Sequence, residues 1–216
     1  MGAEAWLELS WADLGLSPTL AAWLVLAALP LVLAACTAFT KIAIVLAAVR
    51  QGLSADRLLP VSSMLALGVA LTAVVMAPVA GACAEALAAL LDASAAGEGV
   101  ALRQWLGTLE PLRGFMATHT DPAELERLAA ASERGVDDPL ILVPAFLVSE
   151  LGAGLQLAVL VLLPFVVIDL IVAEVQALLG LQQTPSVTFA LPAKVLVFLA
   201  ADGWHLVVVG LVEGYQ

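Results

Sequence analysis

Charged residues are scarce in this sequence. Asp, Glu, Lys and Arg make up 12% of its 216 residues, whereas 62% are hydrophobic. A soluble domain has about a quarter charged residues, so this chain has too few to cover a surface that faces water everywhere. Among the charged residues, the basic ones are fewer than the acidic ones. There are eight Lys and Arg against 19 Asp and Glu, which gives a formal net charge of −11. Because nucleic acid and anionic membrane surfaces attract basic patches, this balance argues against both as ligands.

Cysteine and catalytic motifs are also lacking. The two cysteines, Cys36 and Cys83, lie in apolar runs without the spacing of a redox pair or a metal site, so we interpret both as buried small residues. The two histidines, His119 and His205, are far apart in sequence and have no obvious further ligands. No nucleophile elbow, zinc-protease, P-loop or dinucleotide motif is present. We therefore expect no enzyme activity, no catalytic residue, no metal and no cofactor.

Long uncharged runs dominate the N-terminal part. Residues 14–40 and 58–84 form two such runs of 27 residues each. A helix that spans the bilayer needs about 20 apolar residues, so each run is long enough for one span. The first 17 residues carry acids but no basic residue, unlike a cleavable signal peptide. We therefore expect the first run to stay in the mature protein.

The C-terminal part is apolar but interrupted. Residues 139–180 and 187–212 form two further runs, which raises the count to about four hydrophobic spans. Pro144 and Pro164 would break or bend a helix in the first of these runs, and both runs contain charges that lipid does not tolerate. We therefore expect broken helices or hairpins that pack against protein.

A polar segment, residues 92–138, separates the two apolar halves. It holds nine acidic residues and four arginines, and Asp121-Pro122 is typical of a helix start. Arg50 and Arg57 predict a cytoplasmic loop, which leaves the acidic segment outside the cytoplasm. The predicted fold is an all-α integral membrane protein. Its three parts are N-terminal hydrophobic helices (1–91), a small polar helical extracytoplasmic domain (92–138) and C-terminal hydrophobic helices (139–216).

Six charged residues lie in apolar surroundings. An isolated charge at the bilayer centre costs at least about 2.5–3.5 kcal/mol, so these residues must pair, reach an interface or line a wet cavity. They would form a polar conduit or hold subunits together; alternatively, several of them simply lie at helix ends. We favour a pair between Lys194 and either Asp169 or Glu174. The six are Lys41, Glu150, Asp169, Glu174, Lys194 and Asp202.

Seven short motifs follow one another along the chain. They are Phe39-Thr40-Lys41-Ile42 through Val49-Arg50, Met76-Ala77-Pro78-Val79, Pro111-Leu112-Arg113-Gly114-Phe115-Met116, Pro144-Ala145-Phe146 with Ser149-Glu150-Leu151, Pro164-Phe165 with Ile168-Asp169-Leu170, Leu191-Pro192-Ala193-Lys194, and Asp202-Gly203-Trp204. Each motif alone is unspecific. In this order, over about residues 30–216, they resemble the FliP/SctR family, which includes YscR, SpaP and HrcR. Family members are core export-gate subunits of flagellar and virulence type III secretion systems.

This resemblance implies an assembly and a function. Family members form a ring of five copies with two kinds of smaller subunit, SctS and SctT or FliQ and FliR, around a conduit for unfolded substrates. The ring lies in the bacterial inner membrane, within the secretion-system basal body and in contact with lipid. We expect the same homo-oligomer here, as a multi-pass protein of an injectisome rather than a flagellum. The six charged residues would then lock helices or subunits together.

The family also has a methionine-rich loop that narrows the conduit as a flexible gasket. The matching positions here are Leu181, Gln182 and Gln183, so the methionines are absent. Methionine is unbranched and polarizable and fills irregular gaps, whereas glutamine keeps the flexible length and adds polarity. We expect these three residues to line the pore. Either the constriction is wetter than in the family, or another subunit supplies the seal.

A stand-alone transporter for a small solute or an ion is the competing interpretation. The buried acidic residues would then relay protons or ions, and the chain would work as a monomer or dimer without partner subunits. An intramembrane enzyme is disfavoured because the sequence lacks a recognisable nucleophile or metal-ligand set.

Overall fold

The computed structural model describes residues 20, 23, 27, 30, 31, 34–56, 58–95, 102–132, 134–136, 138–181 and 183–215. Throughout these residues the regular structure is helical, and no strand occurs among them. The all-α class predicted from the sequence is therefore confirmed for this part of the chain. In chain order the helices are α1 (Phe39–Gly52), α2 (Val61–Ala95), α3 (Leu102–Gly107), α4 (Glu110–His119), α5 (Pro122–Ser132), α6 (Pro139–Leu178), α7 (Val187–Ala200) and α8 (Gly203–Glu213).

Two helices of the described chain are long and apolar enough to cross a membrane, α2 over Val61–Ala93 and α6. The next two helices, α7 and α8, meet at a bend of 61° and make up a third span if the pair is counted as one. Most of the first apolar run, residues 14–40, lies outside the described residues. The count of four spans therefore stays a prediction.

Prolines do not interrupt the long helices. Helix α6 runs over 40 residues and passes through Pro144 and Pro164, and α2 passes through Pro78. No break occurs at Pro144 or Pro164, so this part of the prediction is wrong, whereas the bend that the sequence equally allowed stays a prediction. Proline removes one backbone hydrogen bond, and apolar helices tolerate this where neighbouring groups satisfy the freed carbonyl. At 1.5 Å per residue α6 is about 60 Å long, roughly twice the thickness of the hydrocarbon core.

The chain divides into two compact units, and the first consists of Met1–Thr37 and Met76–Leu147. Its buried cluster is formed by Met116, Leu142 and Phe146, and the rings of Phe115 and Phe146 meet edge to face at 5.9 Å. Helix α5 begins as predicted, because Asp121 Oδ1 accepts a hydrogen bond of 2.9 Å from the backbone N–H of Ala123. The polar segment contributes to this unit, while its extracytoplasmic location stays a prediction.

The second unit consists of Ala38–Val75 and Val148–Gln216. Its aromatic core brings α1, α6 and α7 together, and a Cβ atom at Gly52 would lie only 2.3 Å from the ring of Phe165. Glycine thus lets the end of α1 approach α6 closely. The buried members of this aromatic core are Val49, Leu53, Ala55, Phe165 and Phe198. All six charged residues singled out from the sequence lie in this second unit.

Candidate functional site

The first polar cluster joins α1 to α6. Lys41 and Glu150 are 7% and 2% exposed, and Lys41 Nζ donates a hydrogen bond of 3.3 Å to Glu150 Oε1. Gly154 lies one helical turn after Glu150, and a Cβ there would come within 3.2 Å of the Lys41 Cα atom. Close backbone approach therefore brings the two side chains within reach of each other. The pair leaves neither charge facing lipid alone.

Tyr215 completes this cluster, and the sequence reasoning missed it. Its hydroxyl donates to Glu150 Oε2, and Lys41 Nζ lies 3.7 Å from the centre of its ring. A cation over an aromatic face is attracted by the ring quadrupole. The available signal was compositional, because Tyr215 is the only tyrosine in the chain and follows an apolar helix. We call Lys41, Glu150 and Tyr215 the inner cluster.

The second polar cluster joins α6 to α7. Lys194 is 2% exposed, and its Nζ donates hydrogen bonds of 2.7 Å to Asp169 Oδ2 and 3.1 Å to Ser54 Oγ. Asp169 differs from its partner, because 49% of its side chain is exposed. The structure thus brings Lys194 to Asp169, one of the two partners named from the sequence. We call Lys194, Asp169 and Ser54 the outer cluster.

The other two charged residues remain outside these clusters. Glu174 is exposed on α6, and no ion pair to it exists among the residues that the structure describes. Asp202 is exposed at the bend before α8, with a left-handed backbone of φ 50°. The next residue, Gly203, packs so closely that a Cβ would lie 2.3 Å from the ring of Phe198. Both acids are therefore open to lipid, water or another chain.

The segment between α6 and α7 holds the predicted pore-lining residues. Leu181 and Gln183 are exposed there, and Gln182 lies outside the described residues. The buried side chain of Gln176 donates a hydrogen bond of 3.3 Å to the carbonyl of Thr184. The carbonyl of Gln176 accepts a bond of 2.9 Å from the N–H of Leu181. Sequence reasoning did not single out Gln176, which ties the segment to α6.

The chemistry of these clusters is charge neutralisation. Each joins a buried ammonium to a carboxylate and one hydroxyl, which suits the fixing of helices rather than bond making. Over the described ranges, no group of three or more His, Cys, Asp or Glu residues could hold a metal ion. His119 belongs to the first unit, where its ring lies 4.4 Å from that of Phe115 at a tilt of 36°.

Comparison with known proteins identifies the family. The model of the FliP family matches residues 23–211. Harpin secretion protein HrpW of Pseudomonas syringae pv. syringae is 34% identical over 203 residues, which cover 88% of this chain and 96% of that protein. Harpin secretion protein HrcR of Erwinia amylovora is 32% identical over 200 residues, covering 88% and 92%. Flagellar biosynthetic protein FliP of Bacillus subtilis (strain 168) is 34% identical over 194 residues, 86% of each chain. This chain therefore belongs to the FliP family.

Proposed function

We propose that this chain is a core export-gate subunit of a bacterial type III protein secretion system. The observation that carries the proposal is the family match over residues 23–211, together with relatives named for harpin secretion and flagellar biosynthesis. The helices α2 and α6 support a location in the inner membrane, where the protein would pass several times. The role is structural transport, and the two charged clusters would hold the helices of the gate.

The proposed assembly is a ring of five copies with SctS/SctT-like or FliQ/FliR-like subunits. Its support is the apolar surface of the single chain, because only 11% of the apolar window of α6 and 22% of that of α2 is buried. Lipid can cover part of such a surface. Exposed Glu174 and Asp202 favour protein neighbours over lipid, since an isolated charge in lipid is costly.

The test of this assembly is the native mass of the detergent-solubilised protein, expressed alone and together with its candidate partners. We expect a five-copy ring that gains the smaller subunits on co-expression. A monomer or dimer that ignores the partners would contradict the proposal. The buried acidic residues would then be tested as an ion path for a stand-alone transporter.

We also propose that Leu181, Gln182 and Gln183 line the conduit for unfolded substrates. The support is their position in the family, together with the exposure of Leu181 and Gln183 in the segment between two apolar helices. Polar glutamines would leave a wetter constriction than methionines. The paired change Gln182→Met and Gln183→Met should therefore lower the ion leak of the closed complex in planar bilayers.

The matched control for this measurement is Gln156→Met, which makes the same chemical change at an exposed position of α6. An unchanged leak in the paired variant would show that the segment is not the seal. A fall of equal size in the Gln156 variant would assign the effect to general polarity.

We also propose that the protein belongs to an injectisome rather than a flagellum. It should then restore secretion in an injectisome mutant but should not restore motility in a flagellar mutant.

A further inference from the structure

The segment after α8 takes part in the inner cluster. Tyr215 lies two residues beyond the end of α8 at Glu213. It contacts residues separated from it by 65 positions (Glu150) and 177 positions (Ala38) along the chain. Lys41 lies on α1 and Glu150 on α6, so three distant segments meet at this cluster. Such convergence requires the segment after α8 to be held against both helices.

The hydrogen bonds of Glu150 are divided between its two carboxylate oxygens. Lys41 Nζ donates to Oε1 at 3.3 Å, and the Tyr215 hydroxyl donates to Oε2. The Ala38 carbonyl lies 3.4 Å from the same hydroxyl, but one hydroxyl hydrogen serves one acceptor well, and the carboxylate of Glu150 is the stronger acceptor. The carboxylate is therefore satisfied on both oxygens only when Tyr215 is in place.

The ring of Tyr215 acts on the other partner of the pair. Lys41 Nζ lies 3.7 Å from its centre, so the ring covers the ammonium group while the hydroxyl reaches the carboxylate. A buried ion pair is favourable only if its geometry is good and the remaining polar sites are satisfied. Tyr215 satisfies both charged groups of the pair. The face of its ring attracts the Lys41 ammonium group, and its hydroxyl donates a hydrogen bond to the Glu150 carboxylate.

We propose that Tyr215 is a positioning residue that holds the Lys41–Glu150 pair inside one subunit. The segment after α8 thereby fixes the contact between α1 and α6 at the point where Gly154 lets their backbones approach. This goes beyond the export-gate function and does not depend on it. The competing explanation is that Tyr215 only fills space beside a pair that would form without it.

The first experiment uses the single tyrosine as a probe. Full-length protein in detergent micelles, labelled with 3-fluorotyrosine, should give one fluorine resonance, because the chain has one tyrosine. Glu150→Gln and Lys41→Met should each move that resonance by more than a line width. Glu174→Gln makes the same chemical change at an exposed position of α6 and should leave it in place. A resonance that ignores Glu150→Gln, or moves as far with Glu174→Gln, overturns the proposal.

The second experiment separates positioning from space filling. Tyr215→Phe keeps the ring but removes the hydroxyl, and it should lower the thermal unfolding midpoint in the natural background. The same change should have a clearly smaller effect in a Glu150→Gln background, because an amide oxygen is a weaker acceptor than a carboxylate. Equal losses in the two backgrounds, or a silent Tyr215→Phe combined with a destabilising Tyr215→Ala, would show that the residue only fills space. If Glu150→Gln does not fold, the double variant Lys41→Met with Glu150→Gln, which leaves no unpaired buried charge, replaces it in both experiments.

Both readouts are taken on the isolated chain. They can therefore succeed even if the chain proves not to form an export gate, and they can fail even if it does. The two proposals are separated in this way.

Discussion

The positive charges of the two buried lysines, Lys41 and Lys194, are neutralised in different ways. In the inner cluster both charges are hidden, with side chains 9% and 3% exposed, and Tyr215 covers the pair. In the outer cluster the lysine side chain is 2% exposed, but that of Asp169 is 49% exposed. The inner cluster is complete within one chain. The outer cluster presents a half-open carboxylate to whatever surrounds α6.

This difference predicts unequal roles. A closed ion pair with every polar site satisfied fixes one geometry, and removing one partner leaves an uncompensated buried charge. A half-open pair is weaker on its own but can accept a further donor from outside. We therefore expect the inner cluster to govern the folding of the subunit and the outer cluster to respond to its neighbours in an assembly.

The largest effect should come from breaking the inner pair. Glu150→Gln leaves the Lys41 ammonium buried without a counter-charge and should lower the free energy of unfolding by about 3–5 kcal/mol. The double variant Lys41→Met with Glu150→Gln removes both charges and should recover most of this loss. Denaturant unfolding of the purified protein in micelles measures both. If the double variant is no more stable than Glu150→Gln alone, the pair is not the cause.

The two single changes to the outer pair, Asp169→Asn and Lys194→Met, should destabilise the protein by unequal amounts. Asp169→Asn strips the counter-charge from a lysine that is 2% exposed and leaves it the Ser54 hydroxyl. The expected loss is about 1–3 kcal/mol, the cost of a buried group that loses its principal partner. Lys194→Met leaves a carboxylate whose side chain is already 49% exposed, so it leaves less buried charge uncompensated and should cost less. Thermal unfolding of the two variants in micelles tests this order.

Equal losses would mean that the exposure of Asp169 does not matter to the pair. The reciprocal exchange, Lys194→Asp with Asp169→Lys, adds a stricter test. It should restore part of the stability if the two side chains contact only each other. A double variant no better than either single change would show that neighbouring groups fix the orientation of the pair.

The sequence revealed the parts of these clusters whose signal is local. Charges within apolar runs identified Lys41, Glu150, Asp169 and Lys194, and the Asp121-Pro122 pattern gave the start of α5. Which charges would pair was harder to predict. The sequence predicted the pair of Lys194 and Asp169, which lie 25 residues apart across one turn. It did not predict the pair of Lys41 and Glu150, which lie 109 residues apart.

Three further features depended on tertiary contacts. The hydroxyls of Tyr215 and Ser54 matter only because folding brings them to a charge, and no local pattern marks them. The continuity of α6 at Pro164 was missed for a related reason. Proline by itself indicates a break, and only the surroundings of the helix decide whether the freed carbonyl is satisfied.

A smaller effect should come from the aromatic core beside the outer cluster. Gly52→Ala would put a Cβ atom 2.3 Å from the Phe165 ring, two residues before Ser54. Such overpacking costs about 1–3 kcal/mol, and the ring can shift, so we expect the lower half of that range. The matched control is Gly152→Ala in α6, where, apart from the adjoining backbone of the helix itself, no described atom lies within 4 Å of the new Cβ. Alanine should be neutral or stabilising there, because it favours helix more than glycine does.

Gly52→Ala also tests whether the aromatic core is coupled to the outer cluster but not to the inner one. Gly52→Ala should also weaken the outer pair by displacing Ser54, so that a following Asp169→Asn costs less than in the natural background. The inner cluster, which does not contact Gly52, should keep the full effect of Glu150→Gln. Additive losses for Gly52→Ala and Asp169→Asn would show that the aromatic core and the outer cluster are independent.

The smallest effect belongs to an exposed ion pair that serves as a reference for both clusters. Asp138 precedes α6; its Oδ1 accepts a hydrogen bond of 2.9 Å from the N–H of Leu140, and its Oδ2 accepts one of 2.9 Å from Arg134. These bonds, the backbone one first, hold the pKa of Asp138 below its ordinary value. A carboxyl group whose pKa is lower in the folded state stabilises the fold at pH values above its unfolded pKa of about 4. This stabilisation is lost as the pH falls through the folded pKa.

Asp138→Asn keeps the side-chain oxygen that accepts the hydrogen bond from the N–H of Leu140, but it removes this pH-dependent stabilisation. Asp138→Ala removes both. Unfolding midpoints at pH 7 and pH 3 should therefore separate natural protein from Asp138→Asn slightly at the higher pH and less at the lower one. A difference as large as that of Asp169→Asn would mean that exposure does not rank the ion pairs of this chain.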